Sequence, residues 1–402
     1  MNICFITHNL PFGTYEAFII PEIKYMINSG HNVLVVPFRP EGEVVHQDSE
    51  FLVEHSIKLP LLNSRIIVGA IREAFENPIA VAKSLLSIRK SRNPAIFIKN
   101  LAVIPKALWL ARYFRQTGVP DHIHVHWINA SATMVLITAA ILKIPWSITA
   151  HRGDIAVNNL ISEKVKSSSF VRCINENGAN EIRRLAQEWG KIHVIHMGVE
   201  LPNENKIQPK KVNNGNENFR ILVPANFIEV KGHSYLVQAI QLLRSQGVAV
   251  QVDLAGKGEL KEQIQAQVIE TGLTDCIEFL GQISHSVLLE NLFSGLYDCV
   301  VLPSIVTKKG DKEGIPVSLI EAMGAGVPVV STVTGGIPEL CVAGTALLVP
   351  PKDSQALSEA LSILIHDAGI RTSMIALGKN RVKEHFNIEI IGLKLMEKIE
   401  RY

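Results

Sequence analysis

Two glutamates, Glu313 and Glu321, stand eight positions apart in the stretch GDKEGIPVSLIEAMGAG, residues 310–326. A strand-like run, DCVVLPS, precedes them, and Pro316 lies where a proline can open a helix. The first amides of a helix have no partner within it and lie at its positive end, where they can bind an anion. We expect these unpaired donors at Gly314, Ile315, Val317 and Ser318.

The carboxylates themselves are poor neighbours for a phosphate, and each is better suited to accept hydrogen bonds from hydroxyl groups. A ligand with a diphosphate in its middle and hydroxyls on both sides is a nucleotide sugar. Two glutamates at this spacing also fit an ordinary surface helix. The glycines and the proline between them favour the nucleotide-sugar site.

The elements that would position these residues alternate between strand and helix along the chain. Strand-like runs are NICFIT, HNVLVVPF, HIHVHW, WSITAH, FVRCIN and KIHVIH, and after a polar stretch FRILVPA, AVQVDLAG, CIEFLGQ, LYDCVVLPS, VPVVST and ALLVP. Strands separated by helices of 10 to 15 residues call for parallel sheets with right-handed crossovers. The sequence therefore predicts an α/β fold with doubly wound sheets, whose ligands bind beyond the carboxyl ends of the strands.

The length of 402 residues fits two domains. We predict an N-terminal domain over 1–200, a linker over 201–218, a second domain over 219–385 and a final helix over 386–402 that packs back on the first domain. The linker is rich in Asn, Lys and Pro and has no hydrophobic period.

The composition is that of a globular cytoplasmic protein, with 47% hydrophobic and 19% charged residues. A formal net charge of +2 argues against a nucleic-acid partner. The five cysteines are odd in number and widely spaced, as expected for reduced thiols. The chain opens directly into a strand without a signal segment, and the apolar stretch 128–142 is shorter than a membrane span, so we expect a buried helix there.

One region is strongly basic. Between residues 51 and 118, eleven lysines and arginines face only three acids and alternate with apolar residues. Such a pattern fits a solvated helical face, and it also fits a peripheral contact of residues 58–115 with an anionic membrane.

Histidines form a second group with possible chemistry. His122, His124 and His126 alternate on one strand, but no carboxylate or cysteine accompanies them at ligand spacing, so a metal site is disfavoured. His126 is nearest the end of its strand, and His151 follows the next strand. Asp154 could be a helix cap alone. The GKG at 256–258 lacks the third glycine of a dinucleotide loop, which disfavours an NAD enzyme.

The segment EGIPVSLIE, Glu313–Glu321, resembles the two-glutamate signature of retaining glycosyltransferases of the GT-B fold. The wider pattern is similar to glycosyltransferase family 4, in particular its bacterial exopolysaccharide and colanic-acid-type members. The resemblance extends to FGTYEAFIIPEI, WSITAHRGDI, VIHMGVE, EVKGHSYLVQAI and LLVPPKDSQAL. It implies two Rossmann-like domains facing a central cleft, with the acceptor on the first and the nucleotide sugar on the second.

The resemblance also implies roles for individual residues. Glu313 would contact hydroxyls of the donor sugar, Glu321 the ribose and Lys231 the diphosphate. His151 would approach the reacting sugar, and the loop at Gly13 would close over the phosphates. The acceptor side would hold His126, Arg152 and Asp154. The departing diphosphate would help to deprotonate the acceptor, with no cofactor and no metal.

One position departs from the family pattern. The usual Gly-Arg-Leu reads Ala-Asn-Phe here, so that Asn226 stands in place of a diphosphate-binding arginine. The loss of a charged bidentate contact corresponds to about 1.5–3 kcal/mol. Lys231, Arg152 or Lys308 could compensate for it.

We therefore expect a retaining hexosyltransferase that uses a UDP-sugar and a polysaccharide-precursor or lipid-linked acceptor. Two alternatives stay open at this point. One is a transferase acting on a small soluble acceptor, and the other is a protein that binds a nucleotide sugar with weak or no turnover.

Overall fold

A computed structural model of the chain describes residues 1–13, 16–44, 47–202 and 219–402. The predicted linker lies outside the described residues from position 203 onward. The described residues form two compact units. The first unit comprises Met1–His196 with Ile391–Tyr402, and the second comprises Met197–Ile390.

The first unit is built on a parallel sheet of six strands. The strands are β1 (Asn2–Thr7), β2 (Asn32–Pro37), β3 (His122–His126), β4 (Trp146–Ala150), β5 (Phe170–Cys173) and β6 (Ile192–Val194). Its helices are α1 (Ile20–Asn28), α2 (Phe51–Glu54), α3 (Ser64–Glu76), α4 (Pro78–Ile88), α5 (Pro94–Ala102), α6 (Ile104–Thr117), α7 (Ala130–Leu142), α8 (Arg152–Val157), α9 (Ile161–Ser167) and α10 (Glu176–Ala186). Short 3₁₀ turns occupy Ala17–Ile19 and Gln47–Ser49.

The second unit repeats the plan. Its strands are β7 (Phe219–Pro224), β8 (Val250–Ala255), β9 (Ile277–Gly281), β10 (Cys299–Leu302), β11 (Val329–Thr332) and β12 (Leu347–Val349). Its helices are α11 (His233–Ser245), α12 (Lys261–Glu270), α13 (His285–Phe293), α14 (Val317–Ala325), α15 (Ile337–Leu340), α16 (Ser354–His366) and α17 (Ala368–His385). The last helix, α18 (Ile388–Glu400), contributes its residues from Ile391 onward to the first unit, where Leu395 and Ile399 join the core.

Both sheets are parallel throughout, and the predicted α/β fold class is confirmed. The strands are short apolar runs rich in Val and Ile, which suits a sheet covered on both faces. The first sheet has the order β2-β1-β3-β4-β5-β6 and the second β12-β11-β10-β7-β8-β9. The direction of winding reverses between β1 and β3 in one sheet and between β7 and β10 in the other. Loops at such a reversal diverge and leave a crevice at the carboxyl ends of the strands.

The apolar helix expected within 128–142 is present as α7, and its residues from Ser131 to Ala139 are buried. By length and composition, one helical stretch of the described residues, Pro94–Thr117, is long and apolar enough to cross a membrane, although 44% of its most apolar window is buried. The bent pair α16 and α17 passes the same test when taken together. Core helices of folded domains commonly meet this criterion.

Lys164 of α9 fixes the loop that follows β3. Its ammonium is fully buried and donates to the carbonyl oxygens of Ile128 at 2.8 Å, Asn129 at 2.7 Å and Asn159 at 2.6 Å. Burial lowers the pKa of this amine well below its ordinary value, while the nearby Asp154 carboxyl opposes that shift. A single side chain therefore ties the loop after β3, through two hydrogen bonds, to the turn between α8 and α9, through a third.

Replacing Lys164 with Met should lower the free energy of unfolding by about 2–4 kcal/mol, because three buried carbonyls lose their donor. Lys166 on the same helix is exposed, and K166M should change stability by less than about 0.5 kcal/mol. Urea unfolding of both variants measures the difference. Equal stabilities would show that Lys164 does not hold the loop.

Candidate active site

The centre of the candidate site in the second unit is an ion pair between two loops. Lys231 ends the loop after β7, and Glu313 lies in the loop after β10, the two strands between which the sheet reverses. Lys231 Nζ lies 2.6 Å from Glu313 Oε2, and the two side chains are 18% and 12% exposed. The resemblance assigns Lys231 to the diphosphate of a donor and Glu313 to hydroxyls of its sugar. The structure joins them, so the carboxylate charge beside the expected anion site is compensated.

Two glycines allow the loops to approach this closely. Gly232 has φ +68°, and a Cβ on it would lie 2.0 Å from the carbonyl oxygen of Pro303. Gly335 has φ +58°, and a Cβ there would lie 1.8 Å from the carbonyl oxygen of Glu313. The backbone position of Glu313 is therefore set by contacts that no side-chain-bearing residue could reproduce.

Helix α14 begins one residue later than expected. Pro316 is its N-cap, with φ −65° and ψ 121°, and not its first helical residue. The prediction that the Gly314 amide is unpaired is wrong, because this amide donates to Glu313 Oε1 at 3.3 Å. For the amides of Ile315, Val317 and Ser318, the described part of the chain provides no hydrogen-bond acceptor. Three donors at the positive end of α14 therefore remain for an anion.

Glu321 lies on the second turn of α14 and contacts a residue that sequence reasoning missed. His285 Nε2 is 2.6 Å from Glu321 Oε1, and the glutamate is only 8% exposed. His285 is the first residue of α13, in the segment that follows the carboxyl end of β9. That position at the sheet edge was the signal available in the sequence. The expected role of Glu321 toward a ribose stays a prediction.

Asn226 occupies the loop after β7, and its Oδ1 accepts a long hydrogen bond of 3.4 Å from the amide of Lys257. Of the bases considered as replacements for the missing arginine, Lys231 contacts Glu313. Lys308 lies in an exposed turn closed by the bond from the Thr307 amide to the Asp311 carbonyl. Arg152 belongs to the first unit.

The first unit has its own cluster at the end of β3 and β4. His126 Nε2 lies 3.2 Å from Glu22 Oε1, and His126 Nδ1 lies 3.2 Å from His151 Nε2. The three side chains are buried, and Trp127 covers His151 with ring centroids 4.2 Å apart. Two predicted residues, His126 and His151, are thus brought together, with Glu22 as an unpredicted third member.

Glu22 determines which nitrogen of His126 carries a proton toward it. Burial would raise the pKa of the Glu22 carboxyl, but the Arg172 guanidinium paired with it and the His126 ring hold that pKa below its usual range. An ionised Glu22 can only accept, so Nε2 of His126 carries the proton. Burial, and after it the electrostatic effect of the neighbouring His126 ring, lowers the pKa of His151 well below its ordinary value, which favours the neutral imidazole.

Three side chains of this cluster are close enough to share a metal ion, because ligand atoms of Glu22, His124 and His126 lie within 4.8 Å of one another. The expectation that no carboxylate accompanies these histidines is wrong. Both ring nitrogens of His124 are nevertheless in hydrogen bonds of 2.8 Å, to Ser147 and Thr149. The Arg172 guanidinium on Glu22 would also repel a cation. The cluster fits a hydrogen-bonded network better than a metal site.

Glu16 holds the loop that follows β1. Its carboxylate accepts the amides of His8 at 2.9 Å, Asn9 at 2.7 Å and Leu10 at 3.0 Å, and it also accepts Trp127 Nε1 at 2.5 Å. These amides are therefore already paired with a carboxylate. The Gly13 amide donates to the Glu43 carbonyl at 2.8 Å, and positions 14 and 15 beyond it lie outside the described residues. The expected role of Gly13 over phosphates stays a prediction.

The remaining acceptor-side residues lie on α8, for which His151 is the N-cap. Asp154 is buried and accepts the Ile128 amide at 2.5 Å, so it ties α8 to the loop after β3 in addition to any capping role. Burial raises the pKa of Asp154 to about 7, against the effect of backbone amides and of Lys164. Arg152, the first residue of α8, is partly exposed.

Comparison with known proteins agrees with this geometry. Residues 204–381 match the family model described as glycosyl transferases group 1. Over 98% of both chains, the sequence is 33% identical to the putative colanic acid biosynthesis glycosyltransferase WcaL of Salmonella typhimurium. The chain belongs to the group 1 glycosyltransferases.

Two further similarities concern this glycosyltransferase as a whole. It is 26% identical to the amylovoran biosynthesis glycosyltransferase AmsK of Erwinia amylovora, over 100% of both chains. The crystal structure of the Anabaena protein HepE in complex with UDP-glucose is 16% identical, has a TM-score of 0.72 and covers 100% of both chains. The recognition made from the sequence is confirmed, as is the predicted fold class.

Glu22 generates a prediction with a defined pH dependence. At pH 7, Glu22→Gln should lower the free energy of unfolding by about 3–5 kcal/mol, because the buried Arg172 guanidinium loses its counter-charge. The folded-state pKa of Glu22 is lower than the unfolded one, so the unfolded chain binds more protons below about pH 5. The contribution of Glu22 is therefore lost as the pH falls. At pH 4 the deficit of E22Q should be smaller by about 1 kcal/mol.

Urea unfolding at pH 7 and pH 4 measures both effects. The exposed Glu54 supplies the matched control, since E54Q removes the same charge without a buried partner. A deficit for E22Q below about 1 kcal/mol at pH 7, or one that is the same at both pH values, would contradict the ionised buried pair.

Proposed function

We propose that this glycosyltransferase transfers a hexose from a nucleotide sugar, with UDP-hexose as the donor class, to a polysaccharide-precursor or lipid-linked acceptor. The observation that carries the proposal is the pair Lys231–Glu313 beside the three amides at the start of α14. The names of WcaL and AmsK, which refer to colanic acid and amylovoran, support a polysaccharide product. The UDP-glucose in the HepE complex supports the donor class.

The donor would bind with its diphosphate on the amides of Ile315, Val317 and Ser318 and on the Lys231 ammonium. Glu313 would then accept hydrogen bonds from hydroxyls of the hexose, and Glu321 from the ribose. As the bond from the anomeric carbon to the diphosphate breaks, negative charge grows on the leaving phosphate. A fixed cation and a helix N-terminus stabilise that charge and require no protein nucleophile, no cofactor and no metal.

We propose transfer with retention of the anomeric configuration, in which a departing phosphate oxygen takes the proton of the acceptor hydroxyl. The chemistry of the side chains near the anion site supports this proposal. Glu313 is paired with Lys231 and bonded to the Gly314 amide, which suits it to holding hydroxyls more than to attacking carbon. For the first unit, we propose acceptor binding near His151, which contacts His126, with Arg152 and Asp154 beside it on α8.

A lipid-linked acceptor would place the protein at a membrane. We propose a cytoplasmic protein with peripheral contact to an anionic membrane through residues 58–115. The excess of basic over acidic residues there supports the contact, while a transferase acting on a small soluble acceptor would have no need of it.

Removal of the Glu313 carboxylate tests the donor site. Glu313→Gln should lower the rate of UDP release from the productive UDP-hexose by about 100-fold or more, because the amide cannot accept the same hydroxyl hydrogen bonds or compensate Lys231. A panel of UDP-hexoses identifies that donor in the wild type by slow hydrolysis. The control E270Q removes an exposed carboxylate at the end of α12 and should keep wild-type rates. Near-normal turnover by folded E313Q would remove Glu313 from the proposal.

The alternative of binding with weak turnover is favoured by one observation, the neutral Asn226 in place of an arginine. Asn226→Arg separates the two functions. If Lys231 already serves the diphosphate, N226R should change kcat by less than about threefold, because a second cation adds little to a charge that is already neutralised. A gain of about tenfold or more would instead identify the natural chain as a binding protein with a weakened site.

A further inference from the structure

The outer surface of α3 and α6 in the first unit carries an open pocket that the proposed chemistry does not use. Its volume is about 380 Å³. Three arginines, Arg65, Arg72 and Arg112, lie around it, and Trp109 and Tyr113 form an aromatic wall.

The pocket depends on a close approach of the two helices. A Cβ on Gly69 of α3 would lie 2.6 Å from Cδ1 of Trp109 on α6. Trp109 in turn stacks on Tyr113, with ring centroids 5.3 Å apart and planes inclined by 26°. The glycine thus lets the indole lie flat against α3, and the aromatic wall is fixed by packing.

The charge of the pocket is positive. Arg65 and Arg72 are exposed, and no ion pair in the described part of the chain includes either of them. Arg112 Nη1 lies 2.7 Å from Glu76 Oε1, so one of the three guanidinium groups is already compensated. Two guanidinium groups remain on a surface that has room for a phosphate group. Guanidinium groups match phosphate oxygens with two parallel hydrogen bonds.

An apolar ridge adjoins the pocket. Val68, which lines the pocket, is 48% exposed, and Ile67, Ile71 and Phe75 follow one another at helical spacing along α3 with exposures of 45%, 51% and 84%. Ile79, the second residue of α4, continues the exposed series at 71%. Isolated exposed apolar residues are ordinary, but a run of this length beside cationic groups marks an interaction surface.

We propose that this surface docks on an anionic bilayer, with a lipid phosphate in the pocket of Arg65, Arg72 and Arg112 and the Ile67–Phe75 ridge in the interfacial region. Amphipathic helices that lie on membranes combine these same two features, a cationic face and exposed large apolar side chains. A soluble phosphate ester or an acidic glycan would use the arginines but would leave Phe75 in water. The proposal deepens the membrane contact proposed above by assigning it a headgroup site, and it does not depend on the transfer reaction.

Sedimentation with lipid vesicles tests the assignment on the full-length chain. Vesicles of phosphatidylcholine with 30% phosphatidylglycerol should bind the wild type about tenfold more tightly than pure phosphatidylcholine, and 0.5 M NaCl should weaken that binding strongly. The double variant R65Q/R72Q should bind anionic vesicles about tenfold more weakly than the wild type, since two cations near the surface are lost. Phe75→Ser should weaken binding as well.

Matched controls lie elsewhere in the same unit. The variant K166Q/R184Q removes two exposed cations from α9 and α10, and Trp189→Ser removes an exposed aromatic ring, 61% of which is accessible. Both should bind like the wild type. Equal binding to neutral and anionic vesicles, or equal losses in the test and control variants, would overturn the proposal.

Two further outcomes would also overturn it. Equal vesicle binding by R65Q/R72Q and the wild type, with glycerol phosphate bound by the wild type alone, would assign the pocket to a soluble phosphate ester. Displacement from vesicles by an acidic polysaccharide, with F75S unchanged, would assign it to a glycan. Donor hydrolysis by R65Q/R72Q distinguishes membrane docking from the proposed transfer reaction. This variant should hydrolyse UDP-hexose at the wild-type rate even where vesicle binding is lost.

Discussion

The ion pair between Lys231 and Glu313 is the interaction on which the account of the second unit depends. A carboxylate alone at this place would repel a diphosphate, and an ammonium alone would bind any anion. The two charged atoms lie 2.6 Å apart and are little exposed, so the pair as a whole carries no net charge where the winding of the sheet reverses. In the proposed donor complex, the diphosphate would share the ammonium while the carboxylate would turn to the sugar hydroxyls, so that one pair would serve two parts of the same ligand.

The first unit uses the same physical rule with deeper burial. Glu22 lies between the Arg172 guanidinium and the His126 ring, and a buried charge of this kind is tolerated only when it is paired and hydrogen-bonded. The result is a chain of contacts from a fixed carboxylate through His126 to His151. Lys164 and Glu16 also act through several hydrogen bonds to one side chain, since each ties backbone groups together through three or more of them.

Local pattern was enough to predict most of the fold. Apolar runs bounded by turns located the strands, and the helix-length spacing between them required parallel order, so α/β class followed from the sequence. Glu313 and Glu321 were selected for their positions around the expected start of a helix, and Lys231 for the resemblance to the family pattern, and their roles toward a donor stay predictions. What local pattern could not supply was pairing. Glu22 and Arg172 are 150 positions apart, and Glu22 and His126 are 104 apart. The local sequence around one of these residues therefore does not indicate its partner. The prediction that the Gly314 amide is unpaired was wrong for a related reason. The acceptor of this amide is the carboxylate of the preceding residue, and the conformation of that side chain decides whether the amide is free for a ligand.

The most direct test of the central claim is calorimetric titration of the purified chain with UDP, alongside GDP, ADP and NAD, for the wild type and for Lys231→Met. The account predicts one UDP per chain, an affinity that falls with ionic strength, and a loss of about tenfold or more in K231M because the diphosphate loses its fixed cation. Absence of binding by every nucleoside diphosphate in folded protein would contradict the account, as would equal UDP affinity in the wild type and K231M.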